Sequence, residues 1–175
     1  MSKNPAKKVL IVIAHEIFRD EEYLQPKEIL ESAGIKVVTA SSSLKPATGK
    51  LGAIVYPDVL LQDSQAGDYD AIVFVGGSGS RNYFHDPAAQ ALAKGAIDNK
   101  KLLASICSAT GILAAAGVIK GKRVTSFPAE AEMIEQHGAH YTGQEVEIDG
   151  RLVTANGPAA AVAFGQAIRK ILLKE

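Results

Sequence analysis

Residues 102–117 read LLASICSATGILAAAG, and where that stretch is cut decides the fold. Its first five residues, together with Lys101, make an apolar run of strand length. From Ala109 to Ala116 small and apolar residues follow as in a short helix, and Gly117 stands where a helix C-terminus favours a left-handed residue. The strand therefore hands over to the helix within a residue or two of Cys107. Such a junction is the geometry of a nucleophile elbow, in which a strained turn exposes one side chain above a sheet. A turn that tight needs small neighbours, and Ser105, Ser108, Ala109 and Gly111 supply them. A lone cysteine in an apolar run also reads as a small buried hydrophobe, so the junction raises the question without answering it.

Outward from the junction, strand-length apolar runs alternate with helical patterns. Val9–Ala14, Ile35–Ala40 and Asp70–Val75 read as strands, the first and last apolar enough to be covered on both faces. Ile54–Tyr56 is a short extra strand before Pro57. Glu21–Ala33 reads as a helix stopped at Gly34, and Asp86-Pro87 as the cap and first position of a helix running to Asn99. Downstream come a strand over Arg123–Phe127, a helix over Pro128–His137 ended by Gly138, and a closing helix over Pro158–Leu173. Val146–Ile148 and Leu152–Thr154 flank Asp149-Gly150, a type I′ hairpin signal. The alternation predicts an α/β fold: a mostly parallel sheet with helices on both faces, joined by right-handed crossovers. No repeat or linker divides the chain, and 175 residues suit one domain over 1–175.

Nineteen basic and nineteen acidic residues cancel, so no field of one sign recruits nucleic acid or an anionic membrane. No apolar stretch approaches membrane-spanning length. The start, MSKNPAKKVLIVIAHE, has the order of a leader, but its apolar run is short, and His15 and Glu16 stand where small residues would be cleaved. One cysteine permits no internal disulfide, which suits a reducing cytosol. A soluble cytoplasmic protein is the expectation. The GGSG loop at residues 76–79 lacks the G-x-G-x-x-G spacing of a dinucleotide site, and neither cofactor nor metal is expected.

In open parallel sheets, sites lie beyond the carboxyl ends of the strands. His15 with the loop to Glu22, the GGSG loop and Cys107 all fall there. The helix after Cys107 directs its positive end at the sulfur, which favours thiolate. Backbone N–H groups of Gly77 and Ser78, with that of Ser108, offer an oxyanion hole. Residues 20–22 are Asp-Glu-Glu, which in most helices is a solvated acidic start. Helical spacing separates them: Glu21 and Asp20 head polar stripes, whereas Glu22 heads the apolar stripe Glu22, Pro26, Ile29, Ala33. Glu22 is therefore the acid turned inward, and a partly dry position raises its pKa. Protonated, it can donate a hydrogen bond to a thiolate. The bland alternative is an acid that only caps its own helix.

The segments FRDEEYLQPKEILESAGIKVVTAS, DAIVFVGGSGS, KLLASICSATGILAAAGVIKGKRVTSFP and LVTANGPAAAVAFGQAI resemble the ThiJ/PfpI superfamily, from about Val9 to Leu172. The resemblance implies a flavodoxin-like three-layer sandwich, a homodimer, and an elbow cysteine as reactive centre. It places that cysteine at Cys107, its glutamate at Glu22 and the oxyanion amides at Gly77 and Ser108. Gly76, His15, Arg81, Phe127 and Asn156 are candidates to contact a substrate. Two departures matter: the histidine that peptidase-like members carry after the cysteine is Ser108 here, and the histidine before the next strand's proline is Phe127. His15 and His85 are candidate replacements, and His140 reads as structural. The resemblance implies chemistry on a small-molecule carbonyl substrate, an α-oxoaldehyde or its early protein adduct, by a slow catalyst. A non-catalytic oxidative sensor or chaperone and an intracellular peptidase or amidase are the alternatives.

Overall fold

Runs of apolar residues covered on both faces fix the centre of the molecule. The structure is a computed structural model that describes residues 5–175. Residues 1–4, where the leader-like segment starts, lie outside the described residues. In chain order the first elements are β1 (Lys8–Val12), β2 (Glu16–Phe18), α1 (Asp20–Ser32), β3 (Lys36–Ser41), β4 (Ala47–Gly49), β5 (Ile54–Val55), β6 (Val59–Leu60) and β7 (Ala71–Phe74). Then come α2 (Pro87–Asp98), β8 (Leu102–Ile106), α3 (Thr110–Ala115), β9 (Arg123–Val124) and α4 (Ala131–Gln136). The last are β10 (His140–Tyr141), β11 (Val146–Asp149), β12 (Leu152–Ala155) and α5 (Ala161–Leu173).

The main sheet has the order β11-β12-β8-β7-β1-β3-β6 and is parallel except for β11. Its central strands β1, β7 and β8 are buried almost throughout, which is why their sequences are continuous apolar runs rather than alternating ones. Helices cover both faces. On one, α1 and α5 pack together over β3, β8 and β12; on the other, α2 packs on β7, β8 and α3. The Asp86 cap is formed, its Oδ1 accepting from the N–H groups of Ala88 (2.8 Å) and Ala89 (3.0 Å). Among the described residues no helix is long and apolar enough to cross a membrane.

Pro26 sits inside α1 and is buried, so the carbonyl of Glu22 loses its helical partner. Its place is explained by α5. A Cβ on Gly165 would stand 2.9 Å from Pro26 Cα and 3.0 Å from Ile29 Cδ1, so the two helices meet backbone to backbone.

Several local features differ from the sequence expectation. A small sheet, β2-β4-β5, crosses the carboxyl edge of the main one, and only its β5 was signalled by an apolar run. The expected strand Arg123–Phe127 stops at Val124 and pairs with β10 rather than with the main sheet. Beyond it, the Thr125 N–H donates to Thr154 Oγ1 (2.9 Å) and the Thr125 hydroxyl to Gln144 O (2.6 Å), so side chains replace a ladder. Pro128–Glu130 is a 3₁₀ turn before the shortened helix α4. In the β11–β12 hairpin Asp149 pairs with Leu152, so the turn centres on Gly150-Arg151. Among these only Gly150 has positive φ, +63°. Glycine first fits a type II′ turn, not the expected I′.

Because α1 and α5 touch at Gly165, a large side chain there must separate them. Gly165→Leu is expected to cost about 2–3 kcal/mol, read as a lower denaturant midpoint at unchanged m-value.

Candidate active site

Strand β8 ends at Ile106, and the next residue turns the chain. Cys107 has φ +61°, a left-handed conformation that costs a non-glycine residue about 1–2 kcal/mol. Hydrogen bonds hold the strained turn from both sides. Behind it, Ser105 Oγ lies 2.8 Å from Thr110 Oγ1, whose hydroxyl reaches Thr125 O at 3.2 Å. In front, the Ser80 and Ser108 hydroxyls lie 2.8 Å apart. Both also reach Gly77 O, at 2.8 and 2.9 Å, so two protons are shared over a triangle tying the elbow to the GGSG loop. Small residues around the cysteine thus serve as polar ties as well as space savers.

The GGSG loop is pressed against both neighbours. A Cβ on Gly76 would lie 2.5 Å from Glu22 Oε2 and 2.7 Å from Cys107 Cβ, so Gly76 is the point where helix α1 and the elbow converge. Gly77, at φ +99°, lies against the backbone of residues 17–19. That segment is itself strained: Ile17, β-branched and half-exposed, has φ +57°.

Glu22 is completely buried. Its Oε2 accepts from the Gly76 N–H at 2.9 Å. Its Oε1 finds no partner of good hydrogen-bond geometry among the described residues. Gly76 packs against both this carboxyl and Cys107, and the two buried groups shift each other. Burial is the largest cause in each case. It pushes Glu22 up to about 7, against the pull of the Cys107 hydrogen bond, the Gly76 N–H and the Arg19 charge. Burial and the negative charge of ionised Glu22 push Cys107 up to about 12, although the N–H groups of Ser108 and Gly77 point at the sulfur and lower it. The expected resting thiolate is therefore corrected to a thiol. The helix invoked to stabilise it is too weak: a 3₁₀ turn over Cys107–Ala109 precedes α3, which has only six residues. The inward-facing acid stands as the stripe predicted.

Of the other two acids, Glu21 is held below the ordinary carboxylate range by its Arg19 hydrogen bonds, at 2.8 and 3.1 Å. Asp20 departs from the solvated expectation. It is buried and accepts from the N–H groups of Leu51 and Ala53, both at 2.8 Å, anchoring the β4–β5 turn.

Cys107, 8% exposed, opens onto a cavity of about 200 Å³. Gly77, Ser78, Ser108, Phe127 and Pro158 form its walls with three cationic residues, Arg19, Lys50 and Arg81. Arg81 is held by Glu130, whose Oε1 lies 2.7 Å from both Nε and a terminal guanidinium nitrogen. Three sequence candidates fall elsewhere. His15 lines a separate concavity with Ser42, Asn82 and Tyr83, because β2 carries the chain away after β1. Asn156 is outside the cavity, its N–H bonded to Glu145 O, and Pro158 faces it instead. Gly76 is buried behind the sulfur and holds Glu22 rather than a substrate. His85 and His140 are exposed and neither lines the cavity. Arg19, Lys50 and Glu130 went unforeseen. Arg19 was detectable as the basic residue before an acidic helix start; Lys50 depends on a hairpin with no pattern of its own.

The DJ-1/PfpI family model matches residues 7–171. An uncharacterised protein of Methanocaldococcus jannaschii is 38% identical over 95% of this chain and 83% of its own length. A deglycase of Pyrococcus abyssi is 32% identical over 93% of this chain and 98% of its own. A glutathione-independent glyoxalase of Caenorhabditis elegans is 29% identical over 95% and 89%. Among solved structures, a ThiJ/PfpI domain protein of Brachyspira murdochii superposes with TM-score 0.94 at 35% identity, over 98% of this chain and 99% of that one.

A buried acid raised to about 7 binds more protons in the folded than in the unfolded chain between pH 4.5 and 7. Stability therefore falls as pH rises through that window, by up to about 3 kcal/mol. Glu22→Gln removes this cost while its amide oxygen still accepts from Gly76. The variant is expected to melt several degrees above wild type at pH 8, with the advantage gone by pH 4.

Proposed function

Because this chain belongs to the DJ-1/PfpI family, we propose that it is a cysteine-dependent enzyme acting on small α-oxoaldehydes or the early adducts they form with proteins. One observation carries the reading: a strained Cys107 lines an open cavity, and the buried Glu22 carboxyl meets it at Gly76. The names deglycase and glyoxalase borne by relatives point the same way.

The chemistry needs one nucleophile and one proton carrier. The Cys107 sulfur adds to the aldehyde carbon while its proton leaves to ionised Glu22. The new oxyanion faces the N–H groups of Gly77 and Ser108 and takes that proton back from Glu22, which completes the hemithioacetal and leaves Glu22 ionised again. Glu22 then removes the hydrogen from that carbon and returns a proton to the neighbouring former carbonyl carbon. The product of this shift is a thioester of a 2-hydroxy acid. Water cleaves it, releasing the acid and restoring the thiol, so the balance is α-oxoaldehyde plus water to 2-hydroxy acid. Thioester cleavage has no imidazole to assist it, which makes for slow turnover.

The same site weighs against the peptidase alternative. Among the described residues no histidine lines the cavity, so a peptidase would lack the imidazole of a Cys-His pair.

Cys107→Ala is expected to abolish conversion of methylglyoxal to lactate; turnover equal to wild type would contradict the reading. Since ionised Glu22 must accept the thiol proton, kcat/KM should rise with pH through about 7. Glu22→Gln should lower it by roughly a hundredfold or more and erase that inflection.

A further inference from the structure

Among nine residues lining the cavity, the charged ones are Arg19, Lys50 and Arg81, and no carboxylate lines it beside them. Two of the three are already bonded to acids outside the lining: Glu21, part-exposed, holds Arg19 through Nε and one terminal nitrogen, and Glu130, almost wholly buried, holds Arg81 in the same way. A guanidinium carries five N–H donors in a rigid fork. Two engaged by a carboxylate leave three on each arginine and fix the plane in which they point. Lys50 has no ion-pair partner among the described residues. It stands where the cavity over Cys107 meets a second hollow lined by Glu16, Ile17 and Thr48. A neutral dicarbonyl the size of methylglyoxal uses the sulfur and the oxyanion amides and leaves these outward donors on water.

Resting on the reading of Cys107 as the reactive centre, we propose that the cavity selects carbonyl compounds bearing an anionic group, a carboxylate or a phosphate, a few bonds beyond the reacting aldehyde. Arg19 and Arg81 are preset donors for that group, and Lys50 is the free charge that draws it in. A charge-assisted hydrogen bond discriminates by about tenfold or more, and the preference is sensitive to salt because the cations are partly exposed. The substrates in view are α-oxoaldehydes with an acidic tail. The hydrogen shift itself is unchanged by the tail.

Two reagents with the same leaving group test this without requiring turnover: iodoacetate, which is anionic, and iodoacetamide, which is neutral. Both alkylate Cys107, the sole cysteine. The ratio of their rates is expected to exceed that of a free small thiol at the same pH by about tenfold. It should fall towards the free-thiol value in Lys50→Met and at high salt. A ratio equal to that of the free thiol, one untouched by Lys50→Met, or failure of both reagents to reach the sulfur overturns the proposal. Protection by inorganic phosphate at lower concentration than by acetate assigns a phosphoryl tail, and the reverse order a carboxylate. Turnover of γ,δ-dioxovalerate against methylglyoxal separates the two readings. Conversion of neither, with the alkylation preference intact, removes the glyoxalase reading and leaves the anion site standing. Cys107-dependent conversion of both at equal kcat/KM, with no alkylation preference, does the opposite.

Discussion

A buried carboxyl group with no cation in contact among the described residues is the constraint around which the rest is arranged. Glu22 has one hydrogen bond of ordinary geometry, from Gly76, which also packs against Cys107, and its other oxygen has no partner among the described residues. Water would solvate the ionised acid far better, so the fold must hold it there. It does so through helix α1, whose apolar stripe is clamped on α5 at Pro26 and Gly165. Asp20 pins the same helix end to the β4–β5 turn by two backbone N–H groups. The expense of burying Glu22 is thus spread over packing that lies away from the site.

The elbow follows the same logic. A left-handed Cys107 persists only where its surroundings over-determine it. Here the hydroxyls of Ser80, Ser105, Ser108 and Thr110 hold the turn to strand, loop and helix at once. Ser108 occupies the place where peptidase-like members carry an imidazole. It takes up a structural tie there, and the proposed chemistry therefore asks Glu22 to handle the protons. Strain, burial and the missing histidine therefore describe one site with a single acid–base group.

The main sheet was legible because its strands are buried on both faces and read as unbroken apolar runs. The elbow was legible because a strand of that kind ends at one cysteine among small residues. Glu22 could be singled out from Asp20 and Glu21 by helical spacing alone. Other features escaped for physical reasons. Strand β2 and the β4–β5 hairpin are short and half-exposed, with no period to detect. They carry His15 away and bring Lys50 in. Asp20 was misjudged because its partners are backbone N–H groups contributed by that hairpin. The thiol's protonation was misjudged because the helix dipole was weighed and desolvation was not.

The proposed function depends on a coupled titration of buried Glu22 and Cys107. The most direct measurement is the ¹³C chemical shift of the Glu22 side-chain carboxyl followed against pH, assigned by its loss in Glu22→Gln. A midpoint near 7 that moves when Cys107 is replaced by alanine is the predicted result. A midpoint in the ordinary glutamate range, indifferent to the loss of the thiol, would contradict it.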